Sequence, residues 1–235
     1  MDAETAATVA TPRRATGWRR ALTDEEFAQV LQIGHETRQI EFKSPGRRDD
    51  GHAFAIVARA MMAMANSRGG GFVVIGVSEN ADGSPNPVGV PDPADYGWTD
   101  FDAICGRLSA YCESGISFEI GIVRHEGKQC VVLTVDEFSE YPVVCKAGHT
   151  SQADPARGRQ GPVEVLKAGA CYVRSRRKPE SIAVSTAEDM RVLIDFAAEK
   201  ALVRYAALKR IEQAHSGSGE PPPSERYNRE TEGLL

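Results

Sequence analysis

The chain has 235 residues, of which 41 % are hydrophobic and 26 % are charged, and its formal net charge is −5. This composition is typical of a globular protein with one substantial core, and no apolar run is long enough for a transmembrane helix. The negative charge argues against a globally basic nucleic-acid-binding protein, although a local basic surface stays open. The N-terminus has no apolar signal segment, and the five cysteines are best explained as buried reduced thiols. We therefore expect a cytoplasmic protein without membrane association.

Composition divides the chain into three segments. Residues 1–21 are rich in alanine and threonine and have little to pack, so we expect a disordered arm. Residues 22–213 carry periodic apolar patterns and are expected to form a single domain. Residues 214–235 contain the run SGSGEPPPSER and are expected to form a disordered tail.

The first predicted elements are a capped helix and a short strand. Thr23 and Glu26 have the spacing of a capping box, which predicts a helix over 24–33. The run RQIEFK at 38–43 predicts a strand. Its glutamate and lysine, being two apart, should share one face, while Ile40 and Phe42 should face the core.

A nearly all-apolar helix over 52–66 follows, and such a helix is buried. Its polar residues His52, Arg59 and Asn66 recur every seventh position and make one narrow stripe. A solvent-filled slit along a core helix explains this stripe better than a catalytic row does. Three glycines then end the helix, and the apolar run 72–77 is typical of a central strand.

The remaining elements alternate between helix and strand. Thr99 is expected to cap a short helix, and Thr186 to start a final helix of about 25 residues, part of which should pack on another subunit. Four further segments have strand patterns, the first two forming a hairpin: 116–122, 130–135, 142–146 and 170–174. The predicted fold is α+β, with a mostly antiparallel sheet, a buried central helix and a long C-terminal helix.

The distribution of charge is uneven. Between residues 142 and 178 there are eight cations and only two acids. These cations flank a glycine-rich loop and a strand end, so a phosphate-facing surface is as reasonable as a solvated loop. The candidate nucleic-acid contacts, including two arginines of an earlier polar loop, are Arg47, Arg48, Arg157, Arg159, Arg174, Arg176, Arg177 and Lys178.

A structural zinc site is one alternative for the histidines and cysteines. His125, Cys130, Cys145 and His149 supply four ligands of the right type. No Cys-x-x-Cys motif supports this grouping, and Cys130 falls within a strand pattern. Zinc is therefore the weaker interpretation.

A second group, Glu36, Glu41 and Lys43, combines acids and a cation within eight residues. Hard cations such as Mg²⁺ and Mn²⁺ prefer oxygen ligands, and a metal can activate water for phosphodiester cleavage. The lysine could stabilise the attacking hydroxide or the phosphate. Taken alone this signal is weak, because a glutamate and a lysine two apart on a strand usually form a solvated surface pair.

The segments ETRQIEFK, AMANSRGGGFVVIGVSE and PVGV resemble the Schlafen AlbA-type domain family. The hallmark of that family runs Glu-Phe-Lys, then Ala-x-Ala-Asn-x-x-Gly-Gly, then Ile-Gly-Val. The resemblance covers about residues 24–200 and is most specific in the first half. It implies an AlbA-like lobe for the fold.

The resemblance also implies a function. In the nuclease members three acids bind a divalent metal and cleave RNA, notably transfer RNA. Glu36, Glu41 and Lys43 match the family pattern, and the third acid follows the Ile-Gly-Val strand, where Glu79 is the candidate and Asp82 the reserve. The implied protein is an endoribonuclease for structured RNA that uses Mg²⁺ or Mn²⁺, held by the three glutamates with the lysine assisting.

The same resemblance implies a homodimer that completes a nucleic-acid groove, and by analogy a role in bacterial defence or stress. Other family members are regarded only as DNA-binding regulators. One alternative is therefore a non-catalytic module that binds DNA or RNA, in which the same acids pair with arginines. A further alternative is an interaction protein that dimerises through the final helix without nucleic acid.

Overall fold

The computed structural model describes residues 21–113, 115–175 and 178–217, without the side chains of Arg157 and residues 214–217. Its elements in chain order are α1 (Asp24–Ile33), β1 (Ile40–Lys43), α2 (Gly51–Ala65), β2 (Gly71–Ile75), β3 (Val77–Glu79), β4 (Pro85–Pro87), α3 (Phe101–Leu108), β5 (Phe118–His125), β6 (Lys128–Val135), β7 (His149–Ser151), β8 (Val163–Leu166), β9 (Tyr172–Arg174), β10 (Ser181–Ala183) and α4 (Ala187–Gly217). The chain divides after Met190 into two compact units. The predicted arm and tail lie almost entirely outside the described residues, so their boundaries stay a prediction.

The main sheet has four strands in the order β1-β2-β6-β5. β1 and β2 are parallel, whereas the other two pairings are antiparallel. A parallel pair needs a crossover connection, and α2 provides it. Three two-stranded antiparallel pairs, β3–β4, β7–β8 and β9–β10, complete the β-structure. The prediction of an α+β fold with a mostly antiparallel sheet is confirmed.

α2 is the buried central helix that the sequence predicts. Asp50 caps its N-terminus, because one carboxylate oxygen accepts the N–H groups of His52 and Ala53. Ten of its residues are buried, and most of these are alanine or methionine, which allow close approach and fill irregular gaps. α2 contacts β2 and β6 of the main sheet and also β7, β8, β9 and β10. It therefore lies between the main sheet and the two C-terminal hairpins of this unit.

The glycine run after α2 is structural, as the sequence indicates. Gly70 has φ +64°, and a Cβ atom at this position would lie 2.0 Å from the carbonyl oxygen of Val135. Only glycine fits such an approach of two backbones. The run thus brings the chain from the end of α2 directly into the middle of the sheet.

The predicted caps and turns hold in most places. Thr23 and Glu26 form both hydrogen bonds of the capping box at α1. In the β5–β6 hairpin, Glu126 and Gly127 both have positive φ, as a type I′ turn requires. At α3 the prediction was wrong by one residue, because the helix is capped by Asp100 rather than Thr99, and the Asp100 carboxylate accepts the N–H of Ala103 at 3.0 Å.

The segment 142–146 is not a regular strand, contrary to the prediction. It forms only isolated bridges, Cys112 with Cys145 and Val144 with Cys171. The reason is a side chain: Asn66 accepts the N–H of Val143 at 2.7 Å and donates to its carbonyl at 2.9 Å. Backbone groups that a strand partner would satisfy are satisfied by an amide instead. The β9–β10 hairpin, in contrast, was not predicted.

α4 begins as predicted, because the Thr186 hydroxyl accepts the N–H of Asp189 at 3.1 Å, and it continues to Gly217, beyond the predicted domain end at 213. Several of its large apolar side chains are exposed: Met190, Ile194, Leu202, Val203, Tyr205, Leu208 and Ile211.

Among the described residues, no helix has the length and apolar content to cross a membrane.

Candidate functional site

The predicted site residues of β1 lie under the β9–β10 hairpin. Glu41 is only 3 % exposed. Its Oε1 lies 2.6 Å from Nζ of Lys43, and its Oε2 accepts from Nη1 of Arg174 at 2.5 Å and from the Ser181 hydroxyl. Arg174 and Ser181 are cross-strand partners in the hairpin. Glu41 and Lys43 do share one face of the strand, as predicted, but this face is covered rather than solvated.

Glu36 joins the same cluster from the turn before β1. Its Oε1 accepts the N–H of Phe42 at 2.7 Å, and its Oε2 lies 3.5 Å from Nη2 of Arg174. The guanidinium of Arg174 therefore contacts both Glu36 and Glu41. The structure brings Glu36, Glu41 and Lys43 together, and it adds Arg174 between the two acids.

The pKa values of Glu36 and Glu41 are shifted in opposite directions. Burial raises the pKa of Glu36 above its usual value, and the nearby charges of Lys43 and Arg174 reverse this only in part. Burial also acts on Glu41, but Lys43 and Arg174 outweigh it, so the pKa of Glu41 is lowered. Glu41 is thus a carboxylate neutralised by two cations, whereas Glu36 is the carboxyl that protonates more readily.

Arg174 has a different position from that expected of a phosphate contact. It is 3 % exposed, and Nη2 also donates to the carbonyls of Thr37 at 2.8 Å and Pro179 at 2.9 Å. A guanidinium engaged on this many sides serves the fold. The sequence carried a signal for this position: Arg174 is two residues after Tyr172, a side chain expected to be buried, and residues two apart on a strand share one face.

The other predicted cations are spread over three kinds of environment. Arg47 pairs with Asp95 at 2.9 Å, and Arg159 pairs with Asp154 at 3.0 Å. Lys178 is exposed, and Arg48 is half-buried. Arg176, Arg177 and the side chain of Arg157 lie outside the described residues.

A cleft of about 810 Å³ runs beside β1, α2 and β3. The charged side chains that line it are Glu36, Lys43, Arg59, Glu79, Arg159, Lys178 and Glu180. Glu36, Lys43 and Glu79, three of the four predicted catalytic residues, therefore meet at one cleft. A second cavity of about 510 Å³ is lined by Glu41 and shares Glu36, Lys43, Arg59 and Glu180 with the first.

The candidates for the third acid lie after the break between β2 and β3. Gly76 has φ +113°, so the chain leaves the main sheet at that residue. Glu79 is exposed at the end of β3 and lines the large cleft. Asp82 belongs to its own turn, where it accepts from the Ser84 N–H and hydroxyl, and these bonds lower its pKa.

Comparison with known proteins places this arrangement in a family. The family described as Schlafen, AlbA_2 matches residues 36–182, which include β1, nearly all of the cleft lining and the β9–β10 hairpin except its last residue. The chain belongs to this family. No match was found among curated proteins.

Two solved structures resemble this Schlafen AlbA_2 chain. The DIP2311 protein of Corynebacterium diphtheriae has a TM-score of 0.43 and 16 % identity, with 72 % of this chain and 27 % of that chain covered. The N-terminal domain of a protein related to the ATP-dependent DNA helicase RecG, from Nitrosomonas europaea, has a TM-score of 0.41 and 24 % identity, with 53 % of this chain and 81 % of that domain covered. The chain thus spans about a quarter of the Corynebacterium protein. Neither likeness is strong enough to bear on function.

The acids of this Schlafen AlbA_2 chain do not fit Mg²⁺ or Mn²⁺ as they are arranged. Within the described ranges, no three or more His, Cys, Asp or Glu residues form a group that could hold a metal. Both oxygens of Glu41 already face cations, Lys43 and Arg174. A divalent ion needs such oxygens free for short coordination bonds, so it would first have to displace both contacts.

The four residues of the zinc alternative are engaged elsewhere. Burial raises the pKa of Cys130 to about 11, which disfavours the thiolate that zinc requires. The ring of His125 meets Phe27 edge-on, and Nδ1 of His149 lies 3.2 Å from the hydroxyl of Tyr111. Together with Cys145 they form no metal-binding group in the part of the chain that the structure describes.

The polar stripe of α2 is only partly satisfied. His52 Nδ1 lies 2.7 Å from the Ser151 hydroxyl, and the Asn66 amide bonds to Val143 and Tyr172. Arg59 has a buried Nε without a hydrogen-bond partner and lines both cavities. The seven-residue spacing in the sequence identified all three polar positions, but it did not show which of them would face a cavity.

Proposed function

We propose that this Schlafen AlbA_2 chain is a nucleic-acid-binding module whose cleft beside β1 receives the phosphate backbone, RNA being the preferred ligand. One observation carries the proposal: cations from four separate segments line the same cleft. Lys43 comes from β1, Arg59 from α2, Arg159 from the loop before β8, and Lys178 from the β9–β10 turn. Backbone contacts from clustered cations supply most non-specific affinity for nucleic acids.

The pairing of the acids supports this proposal. Glu41 is neutralised by Lys43 and Arg174 and is almost fully buried, so it does not present an uncompensated negative charge to a phosphate. Of the cleft cations, Lys178 is exposed and Arg59 is half-buried. Glu41 therefore holds β1 against the β9–β10 hairpin beside the cleft, and the cations meet the ligand.

Binding of fluorescent oligonucleotides to the full chain tests the proposal. Anisotropy titrations with single-stranded RNA, structured RNA and duplex DNA should show binding that weakens with salt. Lys178→Gln should weaken every complex and reduce the salt slope by about one. The matched control is Lys128→Gln at the start of β6, where an exposed lysine lies outside the cleft lining. Equal loss in both variants, or no binding by the wild type, would contradict the proposal.

A metal-dependent endoribonuclease is the second candidate function. The observation in its favour is that Glu36, Lys43 and Glu79 line one cleft. Mg²⁺ or Mn²⁺ would supply the activated water in such an enzyme. Because both oxygens of Glu41 face cations, this candidate also requires Arg174 and Lys43 to release that carboxylate.

Cleavage of labelled transfer RNA with Mn²⁺ or Mg²⁺ tests this candidate. If it holds, Glu36→Gln and Glu79→Gln each abolish cleavage, while Glu113→Gln, an exposed acid outside the cleft lining, cleaves like the wild type. Binding that is unchanged by a chelator, together with intact RNA under both metals, would rule the nuclease out and leave the binding module.

Two broader features belong to the same proposal. We expect a homodimer formed through α4, because six of its large apolar side chains are more than half exposed: Ile194, Leu202, Val203, Tyr205, Leu208 and Ile211. We also expect a cytoplasmic location, because all five cysteines are free thiols, as a reducing compartment keeps them.

A further inference from the structure

Arg59 is the member of the α2 stripe that the fold leaves unsatisfied. Both other members are hydrogen-bonded, His52 to Ser151 and Asn66 to the backbone of Val143 and Tyr172. No hydrogen bond or ion pair of Arg59 is found among the described residues, and its Nε is buried without a partner. The helix around it is almost wholly apolar.

An arginine in this state is costly for the free protein. A buried polar group without a partner loses its hydration without compensation. An arginine side chain keeps its charge in proteins, so it cannot avoid this cost by becoming neutral. Arg48 and Arg174 also have a buried Nε without a partner, but of the three only Arg59 lines the two cavities, where a ligand can complete it.

The position of Arg59 indicates where that ligand lies. Arg59 lines the cleft of about 810 Å³ and also the cavity of about 510 Å³, so its side chain stands where the two meet. Glu36 and Glu180 line both spaces too, yet neither pairs with Arg59 in the described structure. Glu36 is instead held by Arg174 and the N–H of Phe42.

We propose that Arg59 binds a backbone phosphate of the nucleic acid at the junction of the two cavities. This inference rests on the proposed function and names the residue that anchors the ligand in the cleft. The planar guanidinium can present two parallel N–H groups to two phosphate oxygens, which lysine cannot do. Lys43 also lines both cavities and adds positive charge to their walls.

Arg59→Met and Arg59→Lys test the proposal in the full chain. Arg59→Met should weaken oligonucleotide binding about tenfold or more and lower the salt slope by about one. Arg59→Lys keeps the charge but loses the two parallel N–H groups of the guanidinium, so its affinity should fall between those of the wild type and Arg59→Met. The matched control is Arg68→Met, since Arg68 is exposed just beyond the end of α2 and outside both cavity linings.

Thermal stability separates a binding role from a structural one. If Arg59 serves a ligand, Arg59→Met should melt at the same or a higher temperature than the wild type, because a buried Nε donor without a partner is removed. A lower melting temperature together with unchanged affinity would overturn the proposal. Equal affinities for the wild type, Arg59→Met and Arg68→Met would also overturn the role of Arg59. In that case the proposal that the chain binds nucleic acid would still stand.

Inorganic phosphate distinguishes failure of this inference from failure of the proposed function. If the wild type binds no oligonucleotide, the proposed function fails. A melting temperature that rises with phosphate in the wild type and Arg68→Met, but not in Arg59→Met, would then still support an anion site at Arg59. If phosphate acts equally on all three proteins, the anion site is overturned as well.

Discussion

Arg174 of β9 and Glu41 of β1 form a buried ion pair across 133 residues of sequence, with Nη1 2.5 Å from Oε2. Each residue is 3 % exposed. β1 is an edge strand of the main sheet, and the pair fixes the β9–β10 hairpin over its face. The acids that suggest metal chemistry in the sequence are therefore bound by the protein's own cations.

Removing one partner of this pair should destabilise the protein strongly. Glu41→Gln is expected to lower the free energy of unfolding by about 3 kcal/mol, because it leaves the Arg174 charge buried without its closest counter-charge. Arg174→Gln should cost more than Glu41→Gln, because the guanidinium also satisfies the carbonyls of Thr37 and Pro179. Urea unfolding measures both values.

The double variant Glu41→Gln/Arg174→Gln completes the cycle. Its loss should be smaller than the sum of the two single losses by at least about 1 kcal/mol, since neither charge is then left alone. Arg191→Gln is the control, because Arg191 and Asp195 form an exposed pair on α4 and should contribute little. Additive losses would show that Arg174 and Glu41 do not act as a pair.

The stability contributions of the two glutamates should depend on pH with opposite signs. The pKa of Glu41 is lowered from 4.5, so its contribution is full above about that pH and disappears as the pH falls through the folded pKa. The pKa of Glu36 is raised, so its contribution is present in acid and is lost as the pH rises through the folded pKa.

Chemical unfolding between pH 3 and 7 checks this prediction. The destabilisation by Glu41→Gln should be largest near pH 7 and shrink towards pH 3. Glu36→Gln should become relatively more favourable as the pH rises, because the wild type then carries a partly buried carboxylate. Parallel pH profiles for the two variants would contradict the assigned pKa directions.

Asn66→Ala should cost about 2–3 kcal/mol of stability. The Asn66 side chain makes three hydrogen bonds, accepting from Val143 N and donating to the carbonyls of Val143 and Tyr172. Without the Asn66 amide, the N–H and carbonyl of Val143 and the carbonyl of Tyr172 lose these hydrogen bonds. Ser67→Ala, which removes one bond to the α2 backbone at Ala63, is the control and should cost less than half as much. Thermal melts of both variants provide the comparison, and equal losses would refute it.

Self-association should depend on the apolar residues of α4. Leu208 is 58 % exposed on a helix that continues to Gly217. Leu208→Glu is expected to convert a dimer into a monomer in light scattering, with the melting temperature almost unchanged because the side chain is exposed. Lys209→Glu, the neighbouring position, is a charge-change control. A wild type that is monomeric at all concentrations would rule the dimer out.

Much of the fold follows from local sequence rules. The capping box of Thr23 and Glu26, the all-apolar pattern of α2 and the β5–β6 hairpin are local signals, and the structure confirms each of them. Segment 142–146 was misread because a strand pattern does not reveal that Asn66, far away in sequence, takes the backbone bonds of Val143. Tertiary contacts override local preference at such positions.

For the candidate site too, some features follow from the sequence and others only from the tertiary structure. Its spacing alone put Glu41 and Lys43 on one face, and the motifs identified the family that residues 36–182 match. Only the tertiary structure decided that this face is covered, that Arg174 neutralises Glu41, and that Arg59 stands unpaired where two cavities meet. The physical reason is that periodicity fixes the direction of a side chain relative to its own element, whereas burial and ion pairing depend on which distant element packs against it.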